Sequence, residues 1–268
     1  MLKVDGHTHT HYCPHGSGDH VEEMIIRAIE LGFEEYHVTE HAPLPKKFLE
    51  RLVVDAPVDT FAMDENDLDD YINELISLKN KYRDKIDLKI GFEIDFLEDF
   101  QDYTQTLLNE YGKWCDTGII SVHFLKGLNG WRSVDYSSED TKTGLVSYFG
   151  GQEQFQLEYF RVVEESVVAD LGSYKPNRIG HLTLCNKFKK SLGIERTIDL
   201  GKILHLIFKK NYTMDLNVGG LFLEDCGETY PPPDIIKEAK KLGIPLIYGS
   251  DAHAVKAVGR GYEKIKLL

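Results

Sequence analysis

Short apolar runs rich in β-branched residues recur along the chain, and longer segments whose apolar residues return at helical spacing lie between them. Seven runs stand out: LKVDGH from residue 2, EEYHVTEH from 34, DLKIGFEID from 87, TGIISVHF from 117, NRIGHLTL from 177, YTMDLNV from 212 and IPLIYGSDAH from 244. Between them, HVEEMIIRAIELGF puts Val21, Met24, Ile25, Ala28 and Ile29 on one stripe, and DLDDYINELISLKNKYRD does the same with Leu68, Tyr71, Ile72, Leu75 and Leu78. DLGKILHLIFKKN and the proline-led PPPDIIKEAKKLGI predict two later helices. Strands alternating with helices are the pattern of parallel βα units, and 268 residues suit one α/β barrel domain spanning 1–268. Two stretches break the rhythm, 43–66 and 125–150; each reads either as a wall or lid over a site or as a solvated excursion.

Six of the seven runs end in residues able to bind metal: His7 and His9; His41, preceded by Glu40; Glu93; His123; His181; and Asp251 with His253. In a β/α barrel the C-terminal strand ends meet at one mouth, so ligands remote in sequence become neighbours in space. His7/His9, Glu93/Asp95 and Asp251/His253 are two apart, so each pair can point to the same side of its strand. With His15 added, the set exceeds the roughly four ligands that one zinc ion takes, and predicts two or three ions sharing a carboxylate. Of the other histidines, His37 and His205 lie within predicted elements and read as structural, and His11 and His20 have no assigned role.

The formal net charge of -13 opposes a nucleic-acid backbone unless bound metal inverts it locally. No membrane span or signal peptide is visible, and four dispersed cysteines with no CxxC pair read as reduced thiols, so the expectation is a cytoplasmic protein. Cys13 alone sits among the candidate ligands, either packing there or tuning an ion.

The segments DGHTHTHYCPHG, TEHAPLP, GFEIDF, SVHF, IGHLTL and GSDAH, in this order and spacing, resemble the polymerase and histidinol phosphatase (PHP) family, and more closely its histidinol-phosphate phosphatase branch. The resemblance implies a distorted seven-stranded TIM-like barrel with its active site at the C-terminal strand ends and three metal ions; histidine-rich ligation makes these divalent ions zinc first, with manganese or iron as alternatives. It implies one ion on His7, His9, Glu93 and Asp251, a second on His123 and His181 with Glu93 as the bridge, and a third on His15, His41 and His253. The implied activity is hydrolysis of L-histidinol phosphate in histidine biosynthesis by a hydroxide bridging two ions, with Glu93 and Asp251 central to catalysis.

Asp95, on the face of Glu93, is the candidate general acid, with an orienting role as the alternative. Asp5 and Glu40 are candidates for orienting ligands. Arg161 and Arg196 flank the fifth run and could fork onto a phosphoryl group, against the plainer role of surface ion pairs. Trp131, Asp135, Tyr136 and Phe149 could wall the imidazole and ammonium end of the substrate. Competing readings are a phosphoesterase for nucleotides or other small esters, a metal-dependent amidohydrolase and a non-catalytic metal binder. Oligomeric state is not legible.

Overall fold

The computed structural model describes residues 2–195 and 198–265. All seven runs form strands of one parallel sheet: β1 (Val4–Asp5), β2 (Glu35–His41), β3 (Asp87–Asp95), β4 (Ile119–Ser121), then β7 (Arg178–Ile179), β8 (Thr213–Asn217) and β9 (Leu246–Gly249). Their order in the sheet follows the chain. Backbone bonds from Gly6 N–H to Tyr248 O (2.7 Å), His9 N–H to Ala252 O (2.9 Å) and Asp251 N–H to His7 O (2.9 Å) bring the first strand against the last, so the sheet curls into a nearly closed barrel.

Burial of one apolar face sets the helices around it. In α1 (Val21–Glu30) the buried residues are Val21, Met24, Ile25 and Ala28, and in α2 (Leu68–Tyr82) they include Leu68, Tyr71, Ile72, Leu75 and Leu78. Next come α3 (Gln101–Tyr111), α4 (Gln152–Val168), α5 (Gly201–Lys209) and α6 (Pro233–Leu242). Pro233 opens α6, where its missing N–H costs no helical bond, and Gly243, at φ 81°, ends it in the left-handed region that glycine adopts freely. The main core runs from Val21 to Val258, so helices from the whole chain pack on one sheet.

The two arrhythmic stretches meet. A hairpin of β5 (Phe124–Gly127) and β6 (Gly130–Ser133) opens the second stretch, starting one residue before 125, and Trp131 exchanges backbone bonds with Arg51 and Val53. Phe48, Leu52, Ala62, Leu97, Phe124 and Trp131 form a second small core beneath them. They are therefore a packed wall beside the barrel mouth rather than a solvated excursion. Among the described residues, no helix is long and apolar enough to cross a membrane.

Candidate active site

β1, β4, β7 and β9 end two residues before His7, His123, His181 and Asp251, whereas His41, Glu93 and Asp215 lie within the last three residues of β2, β3 and β8. Glu93, 1% exposed, is the hub. Its Oε2 lies 3.3 Å from His7 Nε2, 3.5 Å from His9 Nε2 and 3.2 Å from His41 Nδ1. Its Oε1 lies 2.8 Å from His181 Nε2 and 3.7 Å from His123 Nε2, and accepts a 2.5 Å bond from Ser121. Asp251 Oδ1 is 3.3 Å from His9 Nε2 and 3.9 Å from His7 Nε2. Asp251 sits at φ 54°, an uncommon conformation for a residue with a side chain, at the turn that presents both it and His253. His15 approaches His41 and His253 with ring centroids 5.1 and 5.0 Å away.

A further set of groups fixes the rings. Nδ1–H of His7 donates to Asp215 (2.6 Å), that of His9 to Glu40 (3.1 Å), that of His123 to Asp95 (2.7 Å) and that of His15 to the Thr60 carbonyl (2.8 Å). An Nδ1 proton so engaged leaves Nε2 as a free lone pair, the usual arrangement of a metal-binding histidine. His7 Nε2, His9 Nε2, His41 Nδ1, His181 Nδ1 and His253 Nε2 are all buried without a hydrogen-bond partner. Each such orphan costs about 1–3 kcal/mol, so five in one buried cluster make no sense as a finished polar core. Imidazole lone pairs and carboxylate oxygens together are a donor set for divalent first-row metals, and the residues fit such ions.

Asp95 accepts from His123 Nδ1 and also borders the cavity, a position that suits both the orienting role and the expected role as general acid. Glu40 anchors the loop after His9 as well, accepting from the Thr10 N–H (2.7 Å). Asp5 does not orient His7. Its carboxylate accepts the backbone N–H groups of Ser250 and Gly259, and burial pushes its pKa up to about 6. The residue that holds His7 is Asp215, on the one run that carried no expected ligand; Asn217 bonds both Asp215 and Asp251 (3.1 Å each). Gly249 makes room: a Cβ there would stand 2.5 Å from both Asp215 Oδ1 and His7 Cβ. Cys13 is buried, with its sulfur close to ring nitrogens of His9, His41 and His253, and burial raises its thiol pKa.

Arg161 departs from expectation. It lies on α4, where its guanidinium pairs with Glu158 (2.6 Å), Glu165 (2.5 Å) and Glu98 (2.9 Å), and it does not border the cavity. Arg161→Ala is accordingly expected to leave KM within about twofold, as for an exposed ion pair; a KM rise with unchanged kcat would restore it to the site. Arg196 lies outside the described residues. His37 is structural, bonded to Glu35 and the buried Arg178, and so is His205, which bonds Gly201 O of its own helix.

The cavity encloses about 420 Å³. Its lining also includes Lys187, Arg260 and Tyr230, which sequence reasoning missed, and Asp135 and Tyr136 of the wall; Trp131 and Phe149 do not reach it. Lys187 Nζ is 3.1 Å from Asp135. Despite burial, Lys187, His123 and the Ser133 hydroxyl hold the Asp135 carboxyl well below its ordinary range.

Burial opposes charging His9 and His123, yet neighbouring carboxylates, Asp251 and Glu40 for the first, Asp95 and Glu93 for the second, raise their pKa to about 9 and about 10. Groups raised above an unfolded value near 6.5 stabilise the metal-free fold fully below that pH, and lose the contribution as pH rises through 9 and 10. Chelated protein should therefore lose thermal stability between about pH 7 and 10, whereas metal-loaded protein, whose imidazoles are already neutral, should not. Parallel pH profiles of Tm for the two forms check this; identical profiles would refute it.

The PHP domain profile matches residues 5–219. The chain is a member of the PHP family. A PHP-associated profile matches residues 235–266 of this PHP protein. A histidinol-phosphatase of Bacillus subtilis is 38% identical over 98% of both chains. A solved structure from Listeria monocytogenes, assigned as a histidinol phosphatase, superposes with a TM-score of 0.94 at 46% identity, covering 98% of this chain and 99% of that one. The histidinol phosphate phosphatase of Lactococcus lactis, solved with zinc, L-histidinol and phosphate, shares the fold with a TM-score of 0.71 at 22% identity, covering 100% of this chain and 94% of that one.

Proposed function

We infer that this PHP protein is a metal-dependent phosphomonoesterase that hydrolyses L-histidinol phosphate to L-histidinol and phosphate, serving histidine biosynthesis in the cytoplasm. The observation that carries it is the cavity and the cluster behind it: His41, His181, His253, Glu93 and Asp251 line it, His7 and His9 lie buried against Glu93, all five rings have a nitrogen without a hydrogen-bond partner, and Asp135, Lys187 and Arg260 stand alongside. Relatives named histidinol-phosphatase that match over nearly the whole chain support the substrate.

The reading takes three divalent ions, zinc first, with manganese or iron as alternatives. His7, His9, Glu93 and Asp251 would hold one, His123, His181 and Glu93 the second, and His15, His41 and His253 the third. Bound there, such ions supply Lewis acidity toward phosphoryl oxygens and lower the pKa of water to roughly 7. They also give a chain of net charge -13 an electropositive floor.

The protein's own groups orient the ester. Arg260, braced by bonds from Nε to Ser250 O (2.8 Å) and from Nη2 to Asp251 O (3.1 Å) and lying 5.0 Å over Phe222, offers its cation to the phosphoryl end. Asp135, kept ionised, receives the substrate ammonium. Tyr136, Phe61 and Phe222 narrow the mouth, excluding water and strengthening every charge contact inside.

Turnover of L-histidinol phosphate against a panel of nucleotides and sugar phosphates tests the assignment: a preference of at least about a hundredfold in kcat/KM is expected from two charged contacts, and a flat or nucleotide-led profile would overturn the substrate. Asp135→Asn should raise KM for L-histidinol phosphate by about 10–100-fold, as for a lost charged hydrogen bond, yet leave hydrolysis of an uncharged aryl phosphate nearly unchanged. An equal loss on both esters would remove Asp135 from ammonium recognition.

A further inference from the structure

Two histidines left without a role by the catalytic cavity, His11 and His20, stand together on the rim of the barrel with Glu74. Their ring centroids are 4.5 Å apart, and His11 Nε2 is 3.5 Å from Glu74 Oε2. One donor atom from each of the three residues falls within 4.8 Å of the others, close enough to face a single ion. None of the three borders the catalytic cavity.

We propose that His11, His20 and Glu74 form a second, solvent-accessible site for one divalent cation of the zinc class. The donor set is two imidazoles and a carboxylate, which open zinc sites use with water filling the remaining position. The three residues come from separate elements: the loop after β1, the residue that precedes α1, and the middle of α2. An ion shared among them would pin the loop 10–20 to α2, and that loop carries Cys13 and His15.

The ligands are poised rather than committed. The His20 ring makes no capping bond to its helix. His11 Nδ1 accepts only a long bond, 3.4 Å, from the Val21 N–H. Coordination through Nε2 moves the ring proton to Nδ1 with no net release, and the Val21 N–H, in the first helical turn, passes to water at little cost. Glu74 is fixed from the other side by the Tyr12 hydroxyl at 3.0 Å. Asp67 and Asp70, which act on His11 and Tyr12 through their fields, add negative charge around the site.

The test is calorimetric titration of zinc into protein whose catalytic centre is already metal-replete, in the wild type, His20→Ala and Glu74→Gln. The wild type should take up one additional ion per chain and gain in Tm. Each variant should bind that ion at least about tenfold more weakly, since removing even an indirect metal partner costs this much, and should lose the Tm gain while retaining wild-type hydrolysis. Absence of an additional ion in the wild type would overturn the proposal, as would equal affinity in all three proteins. Two variants on different elements, one nearly isosteric, separate ligand loss from misfolding.

Discussion

Glu93→Gln should reduce kcat/KM by at least about a thousandfold, because Lewis-acid stabilisation worth several kcal/mol depends on it and each 1.36 kcal/mol is tenfold. Glu93 alone among the candidate ligands stands within 4 Å of ring nitrogens from five histidines: His7, His9, His41, His123 and His181. An amide keeps the volume but removes the charge and replaces one oxygen with a donor, which turns an N–H toward lone pairs or ions. Electrostatics make the point independently. Burial alone would favour a neutral carboxyl at this position, but His7, His123, His41 and the bond to His181 hold Glu93 well below the ordinary range, so it is an anion wherever the enzyme works. Bound metal, counted by elemental analysis, should fall together with activity. Full metal content with full activity would show that Glu93 is not the hub.

Asp215→Asn should cost about 10–100-fold in kcat/KM or in metal affinity, the usual consequence of removing the carboxylate behind a ligating histidine. Asp215 accepts from His7 Nδ1, from Asn217 and, at 3.5 Å, from the His181 backbone N–H, so it is a positioning residue that acts through the groups it holds, His7 first. The asparagine variant has an oxygen to accept the same proton but lacks the charge that raises His7 basicity. Zinc titration of the chelated variant should therefore show weakened binding, and excess zinc should recover much of the lost rate. A rate loss that zinc does not relieve would assign Asp215 some other task.

The strands were legible because burial dictates their alternation. DLKIGFEID coincides with β3, Asp87–Asp95. At the barrel ends the pattern overran the hydrogen-bonded strands: β1 and β7 pair over only two residues each, since the chain leaves the sheet to present His7, His9 and His181. Convergence at the mouth was equally legible, because strand ends in a barrel have nowhere else to point. The hairpin 124–133 was not read, although Asn129–Gly130 is a hairpin signal; Asn129 indeed takes a positive φ of 66°.

Contacts between remote segments account for the rest. Nothing local tells that Asp215 meets His7, 208 positions away, or that Arg260 returns over the site from near the C-terminus. For Arg161, proximity to a strand in sequence misled; Glu158 and Glu165, at i−3 and i+4, were the signal that its charge is satisfied on its own helix. Arg260 and Lys187 are the cations that border the cavity among the described residues, the role for which Arg161 was a candidate.

The most direct test of the account is phosphate release from L-histidinol phosphate by protein stripped with a chelator and then reloaded with zinc in steps, with bound metal measured at each step. Activity should vanish in the stripped protein and return in proportion to zinc bound by the cavity, reaching its maximum only when the clustered ligands are filled. Undiminished turnover in protein shown to hold no metal would contradict it.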